Sequence, residues 1–71
     1  MGAEVLFEDG VRLMKAGQFD EACPKIAESQ RLEPRPGTLF TLAECLANDG
    51  KIATALARYE EYLRVAGVKK A

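Results

Sequence analysis

The sequence predicts an all-α fold of four antiparallel helices, arranged as two tandem helix-turn-helix units. Three observations carry this expectation. Gly17, Gly50 and Gly67 divide the chain at regular distances, 50 − 17 = 33 and 67 − 50 = 17 residues. Pro34 and Pro36 break it near the middle. The four segments between these breaks are each about a dozen residues long and rich in Ala, Leu, Glu, Arg and Lys, the strong helix formers.

The first segment runs from about Ala3 to Ala16. Leu6, Gly10 and Leu13 follow the i, i+4, i+7 spacing of one helix face. Phe7, Val11 and Met14 repeat that spacing on the neighbouring arc, so the apolar sector is wider than a single contact requires. Glu4, Glu8, Arg12 and Lys15 take the remaining arc. Gly17 suits the left-handed position just past the end.

The second segment runs from about Asp20 to Leu32. Asp20 and Glu21 favour a helix N-terminus electrostatically. Pro24 is tolerated in the first turn, which places the start at Asp20 or Glu21. Ala22, Cys23, Ile26 and Ser29 form its inner side. The run Glu33-Pro34-Arg35-Pro36-Gly37 ends it, because a residue before proline avoids the helical region.

The third segment runs from about Thr38 to Asp49, with Gly37 or Thr38 near the cap and Leu39, Leu42, Ala43 and Leu46 as its stripe. Asn48-Asp49-Gly50-Lys51 is a turn signal. The fourth runs from about Ala53 to Ala66, lined by Ala55, Leu56, Tyr59, Tyr62 and Leu63. Residues 68–71 read as a frayed tail, in which Lys69-Lys70 is a short solubilising charge pair.

Shifting the chain by 33 residues superimposes it on itself. Leu6 meets Leu39, Phe7 meets Phe40, Leu13 meets Leu46, Gly17 meets Gly50 and Ala22 meets Ala55. Glu28 and Arg31 meet Glu61 and Arg64. Gly10 with Ala43, Phe19 with Ile52 and Ile26 with Tyr59 are similar pairs. A period near 34 with two helices per unit is a repeat-protein signature.

These positions resemble the tetratricopeptide repeat family over about residues 3 to 67, nearly the whole chain. The first unit, about 3–34, carries Gly10, Gly17, Phe19, Ala22 and Pro34 at the family's positions. The second, about 36–67, carries Leu39, Leu42, Ala43, Leu46, Gly50, Ala55 and Tyr59. The small residues have a physical role, since two antiparallel helices approach closely only where side chains are short. The departures are Asp9, Ser29, Tyr62 and Gly67, where the family prefers an apolar residue, alanine, alanine and proline. Asp9 implies a solvated outer side of the first helix, as in a terminal repeat.

The resemblance implies a non-catalytic protein–protein interaction module, a scaffold or adaptor with a concave surface lined by the first helix of each unit. By position that surface takes Glu4, Phe7, Val11, Met14 and Lys15 from the first unit. It takes Phe40, Glu44, Ala47 and Asn48 from the second. Phe7, Val11, Met14 and Phe40 would bury apolar side chains of a partner peptide or helix, and Lys15, Glu44 and Asn48 would select its polar groups. Homodimeric self-assembly, through the ends of the stack around Leu56, Tyr59 and Leu63, is the alternative. A module of a larger signalling or envelope protein is another. The family's carboxylate clamp is not expected, because the matching positions hold Phe7, Val11, Gly37, Phe40 and Thr41, none cationic.

The same resemblance places Cys23 early in the second helix and Cys45 in the third, on helices that pack together. The segment from Ala22 to Ala47 looks like a variety found in bacterial envelope-associated proteins, where cysteines stand at both places. A bridge closing 45 − 23 = 22 residues would contribute about 3 kcal/mol. Two buried free thiols are the other outcome, since cysteine packs as a small apolar residue.

Composition excludes other classes. Hydrophobic residues make up 48% and charged residues 30%, a balance that folds rather than remaining disordered. No apolar run is long enough for membrane insertion. The net charge of −1 lacks the basic surplus of a nucleic-acid binder. The absence of histidine and the presence of two cysteines argue against triads, metal sites and an enzyme, and no cofactor is expected. Met1 to Val5 lack a signal peptide's pattern. The compartment stays open: cytoplasmic for a complete chain, periplasmic or envelope-associated for a module of an exported protein. At this length apolar burial and chain-ordering entropy nearly cancel, so a partner surface or a crosslink is expected to complete the core.

Overall fold

A computed structural model describes residues 2–67 as four α-helices. The tail at 68–71, with Lys69 and Lys70, lies outside the described residues. Helix α1 spans Ala3–Lys15, α2 Phe19–Leu32, α3 Pro36–Asn48 and α4 Ile52–Val65. Contacts run between α1 and α2, α2 and α3, and α3 and α4. The shortest principal extent is 15 Å, room for only two layers of helix, so every helix keeps an outward side.

The two tight turns are built alike, 33 residues apart. Gly17 has φ 77° and Gly50 φ 81°, a left-handed conformation that glycine adopts without steric penalty. The Gln18 N–H donates to the Leu13 carbonyl at 2.9 Å and the Gly17 N–H to that of Met14 at 2.9 Å. Lys51 and Gly50 do the same to Leu46 and Ala47 at 2.9 and 3.1 Å. This double closure satisfies carbonyls that the helix end leaves free and reverses the chain in a few residues.

Two helix starts differ from the sequence expectation. Helix α2 begins at Phe19, so Pro24 is its sixth residue and stands in the second turn. The carbonyl that loses its donor belongs to Asp20, an exposed residue. Helix α3 begins at Pro36 rather than near Thr38. Proline suits the first helical position, where its missing N–H has no intrahelical partner to lose. Arg35 before it is extended, with φ −142° and ψ 142°, as a residue preceding proline must be. Thr38 is therefore not a cap but a buried residue of the first turn.

The core is small and nearly continuous. Leu13, Ala22, Cys23, Ile26, Leu42, Cys45, Leu46 and Ala55 form one buried cluster, with Met14, Phe19, Ala47 and Tyr59 packed around it. Gly10 sets the closeness of α1 and α2: a Cβ there would lie 2.4 Å from the Ile26 Cγ1. In the second unit Ala43 and Ala55 take the equivalent crossing, both essentially without exposure. Ser29 adds a tie, its Oγ donating to the Ala3 carbonyl at 2.7 Å. The junction between units is covalent: Cys23 of α2 and Cys45 of α3 form a disulfide with their Cα atoms 5.7 Å apart.

The expected inner stripe of α4 is covered only in part, with Tyr59 and Tyr62 half-buried. Ala55 is the buried residue of that helix, whereas Leu56 is 57% and Leu63 41% exposed. No described helix is long and apolar enough to cross a membrane.

Candidate interaction surface

The first turns of α1 and α3 flank a cleft of about 440 Å³. Ala3, Glu4 and Phe7 line it from α1, Ser29 and Glu33 from the end of α2. Arg35, Gly37, Thr38 and Thr41 close the other side. The short connection between α2 and α3 thus becomes part of the wall. Its shape is held by the Arg35 N–H, which donates to the Gln30 Oε1 at 3.0 Å. The Thr41 hydroxyl bonds back to the Gly37 carbonyl at 2.9 Å, so it is engaged within its own helix.

Charge at the mouth is uneven. The Arg35 guanidinium grips the Glu33 carboxylate through Nε and Nη2. That hydrogen bond, then the Glu33 charge and more weakly that of Glu4, raises the Arg35 pKa above its ordinary value. One cation therefore faces two carboxylates, leaving the cleft with a negative surplus. A second exposed pair, Glu28 with Arg31, lies on α2. Its hydrogen bond holds the Glu28 carboxyl below the usual glutamate range.

The seven residues expected at a partner surface do not all converge. Phe7 is half-buried and lines the cleft. Val11 and Met14 continue its stripe toward the other end of α1, half-buried, with Met14 packed on the core. Lys15 is exposed in the last turn. Phe40 turns away from the cleft toward α4. Its ring stands 5.7 Å from that of Tyr59, edge-on, and 5.0 Å from that of Tyr62. Glu44 and Asn48 are exposed on α3, and the Asn48 amide donates to the Glu44 carbonyl at 2.8 Å, which occupies one of its two N–H donors locally.

The sequence reading missed Glu33, Arg35 and Thr38 as wall residues. Their signal was available in the Pro34-Arg35-Pro36 run, which forces an extended link that must lie against the ends of three helices. On α4, Glu61 accepts from the Arg58 Nη1 at 2.8 Å.

A shallower groove of about 340 Å³ runs between α2 and α4, floored by Leu42 and Leu46 of α3. Cys23, Pro24 and Ala27 form one bank, Lys51, Thr54 and Arg58 the other. Among the described residues, the buried Arg58 Nε has no hydrogen-bond partner, and nothing in the structure accounts for it.

No protein-family model, curated protein or solved structure gives a significant match to this chain.

Proposed function

We propose that this chain is a non-catalytic protein-interaction module of the tetratricopeptide repeat type. It holds a peptide or helix of a partner along α1, beginning in the cleft at Phe7. The observation that carries this reading is the half-buried stripe Phe7, Val11 and Met14, which leads out of the cleft along one face of α1. Apolar side chains left partly open beside a preformed recess suit an anchor side chain from a partner. The 33-residue recurrence, which extends to the hydrogen bonding of both turns, supports the repeat assignment.

The partner's chemistry follows from the mouth of the cleft. Glu4 and Glu33 outnumber Arg35 there, so an apolar anchor flanked by a basic residue is favoured. Lys15 at the far end favours an acidic residue some three turns further along. Phe40 is 38% exposed but lies apart from the cleft, against Tyr59 and Tyr62, so it is not part of this stripe. Catalysis is not part of the proposal. The described groups with perturbed pKa values are Glu28, Arg31 and Arg35, all in exposed ion pairs.

A photo-crosslinking residue in place of Phe7, introduced in the native source, tests this reading. The same partner should be captured from positions 7 and 11 and not from position 60 on α4. Phe7→Asp should abolish capture while circular dichroism stays unchanged. Equal capture from all three positions, or loss of helicity in Phe7→Asp, overturns the proposal.

A further inference from the structure

The Cys23–Cys45 bond joins the second helix of one unit to the first helix of the next. Its two cysteines stand in different surroundings. Cys45 has no exposure, whereas Cys23 keeps 4% and lines the groove between α2 and α4. Leu42 and Leu46 of the Cys45 helix reach the floor of that groove, but Cys45 does not line it. Pro24 and Ala27 on the Cys23 bank, and Thr54 on the other, are exposed, so the groove opens to solvent along the side that carries Cys23. Its charged lining residues, Lys51 and Arg58, are each paired with a carboxylate, Asp49 and Glu61. The rim is thus close to neutral and sets no charge barrier against an incoming thiolate.

The buried sulfur has an acceptor waiting. The Cys45 Sγ lies 3.7 Å from the Phe19 carbonyl oxygen. In the disulfide that sulfur carries no hydrogen; as a thiol it donates one to Phe19. A free cysteine is also at home in an apolar interior. The close contact of Ile26 with Gly10 in the first unit, and the buried crossing at Ala43 and Ala55 in the second, lie within units and do not span the bond.

We propose that Cys23–Cys45 is a reversible thiol–disulfide exchange site, entered from the α2–α4 groove and attacked at Cys23, with a small thiol as co-reactant. The attacking thiolate forms a bond to the Cys23 sulfur. The bond to Cys45 breaks, and its electron pair stays on the Cys45 sulfur, which takes up the proton that the incoming thiol released. A second thiol attacks the outer sulfur of the mixed disulfide and frees Cys23 as a thiol. Two small thiols are oxidised to one disulfide, and the protein bond is reduced to two thiols. The reduced chain keeps its four helices and loses the covalent tie between its units, so the exchange switches that junction between locked and unlocked. The site shares no residue with the α1 stripe and does not depend on the function proposed for it.

The native full chain incubated with glutathione, from about 1 to about 50 mM, tests the proposal. After quenching with acid and a maleimide, peptide mass mapping of the first adduct should place glutathione on Cys23 and maleimide on Cys45. The initial rate of disulfide loss should rise in proportion to glutathione concentration. Ala27→Phe with Thr54→Phe narrows the groove at two exposed positions and should slow exchange at least about tenfold, with unchanged helicity. If that pair disturbs folding, Ala27→Leu alone tests the same entry. The reduced chain should keep its helical circular dichroism. A rate that levels off as glutathione rises, the mark of a bond reached only by unfolding, overturns the proposal. So does glutathione on Cys45 or equally on both cysteines, a narrowed groove that exchanges as fast as the parent, or loss of helicity on reduction.

Discussion

Helices α2 and α4 are the second helices of their units. Each has 14 residues, and they are related by the same 33-residue shift. Yet α2 buries Ala22, Cys23, Ile26 and Ser29, whereas α4 buries Ala55. Equivalent positions read very differently: Ile26 is fully covered and Tyr59 half-covered, Cys23 is buried and Leu56 exposed. The helices are alike, and their neighbours differ. Helix α2 lies between α1 and α3, while α4 has α3 on one side. Burial in a stacked array is a property of the interface between units as much as of the unit itself.

The largest test of this contrast is Ile26→Ala. Ile26 has no exposed surface and meets α1 at Gly10, so truncation should cost about 2–5 kcal/mol by urea unfolding. A loss below about 1 kcal/mol would mean that α2 is no better anchored than α4.

The disulfide comes next, because Cys23 holds the place that Leu56 holds on α4. It closes a separation of 22 residues, and reduction or Cys23→Ser with Cys45→Ser should cost about 3 kcal/mol. Thermal unfolding with and without reductant measures this. The denatured, unreduced protein should titrate no free thiol.

Gly10→Ala sharpens the comparison within the first unit, because the equivalent residue on α3 is already Ala43. The added methyl would stand 2.4 Å from the Ile26 Cγ1, an overpacking cost of about 1–3 kcal/mol. The helix propensity gained, about 1 kcal/mol, offsets part of it. A variant more stable than the parent would show that Ile26 gives way freely.

The smallest expected effect is Leu56→Ala on α4. At 57% exposure, the side chain should contribute within about 0.5 kcal/mol to stability. A larger loss would place Leu56 in the core and remove the contrast between the two helices.

Several features were legible in the sequence because their causes are local. Gly17 and Gly50 mark the turns since only glycine adopts φ near 80° there without strain. The apolar spacing of α1 marks its inner face since side chains recur at the helical period. The all-α class and the four segments follow from these two effects. The prolines are less legible: Pro24 lies in the second turn of α2, not the first, and Pro36 begins α3 and is not part of a linker. A proline constrains its own φ and its neighbour, and the register of the helix around it is settled by what the helix packs on.

The tertiary structure decided everything that depends on which face meets which. It turned Phe40 toward Tyr59 and Tyr62 and away from the cleft. It drew Glu33 and Arg35 into the wall, brought Cys23 within bonding reach of Cys45, and left Leu56 and Leu63 open. Helical periodicity orders side chains around one axis, and nothing local to a helix specifies the neighbour that covers a given arc. That choice belongs to the packing of α1 to α4 as a set. Among the described residues the set covers α2 from both α1 and α3, and α4 from α3.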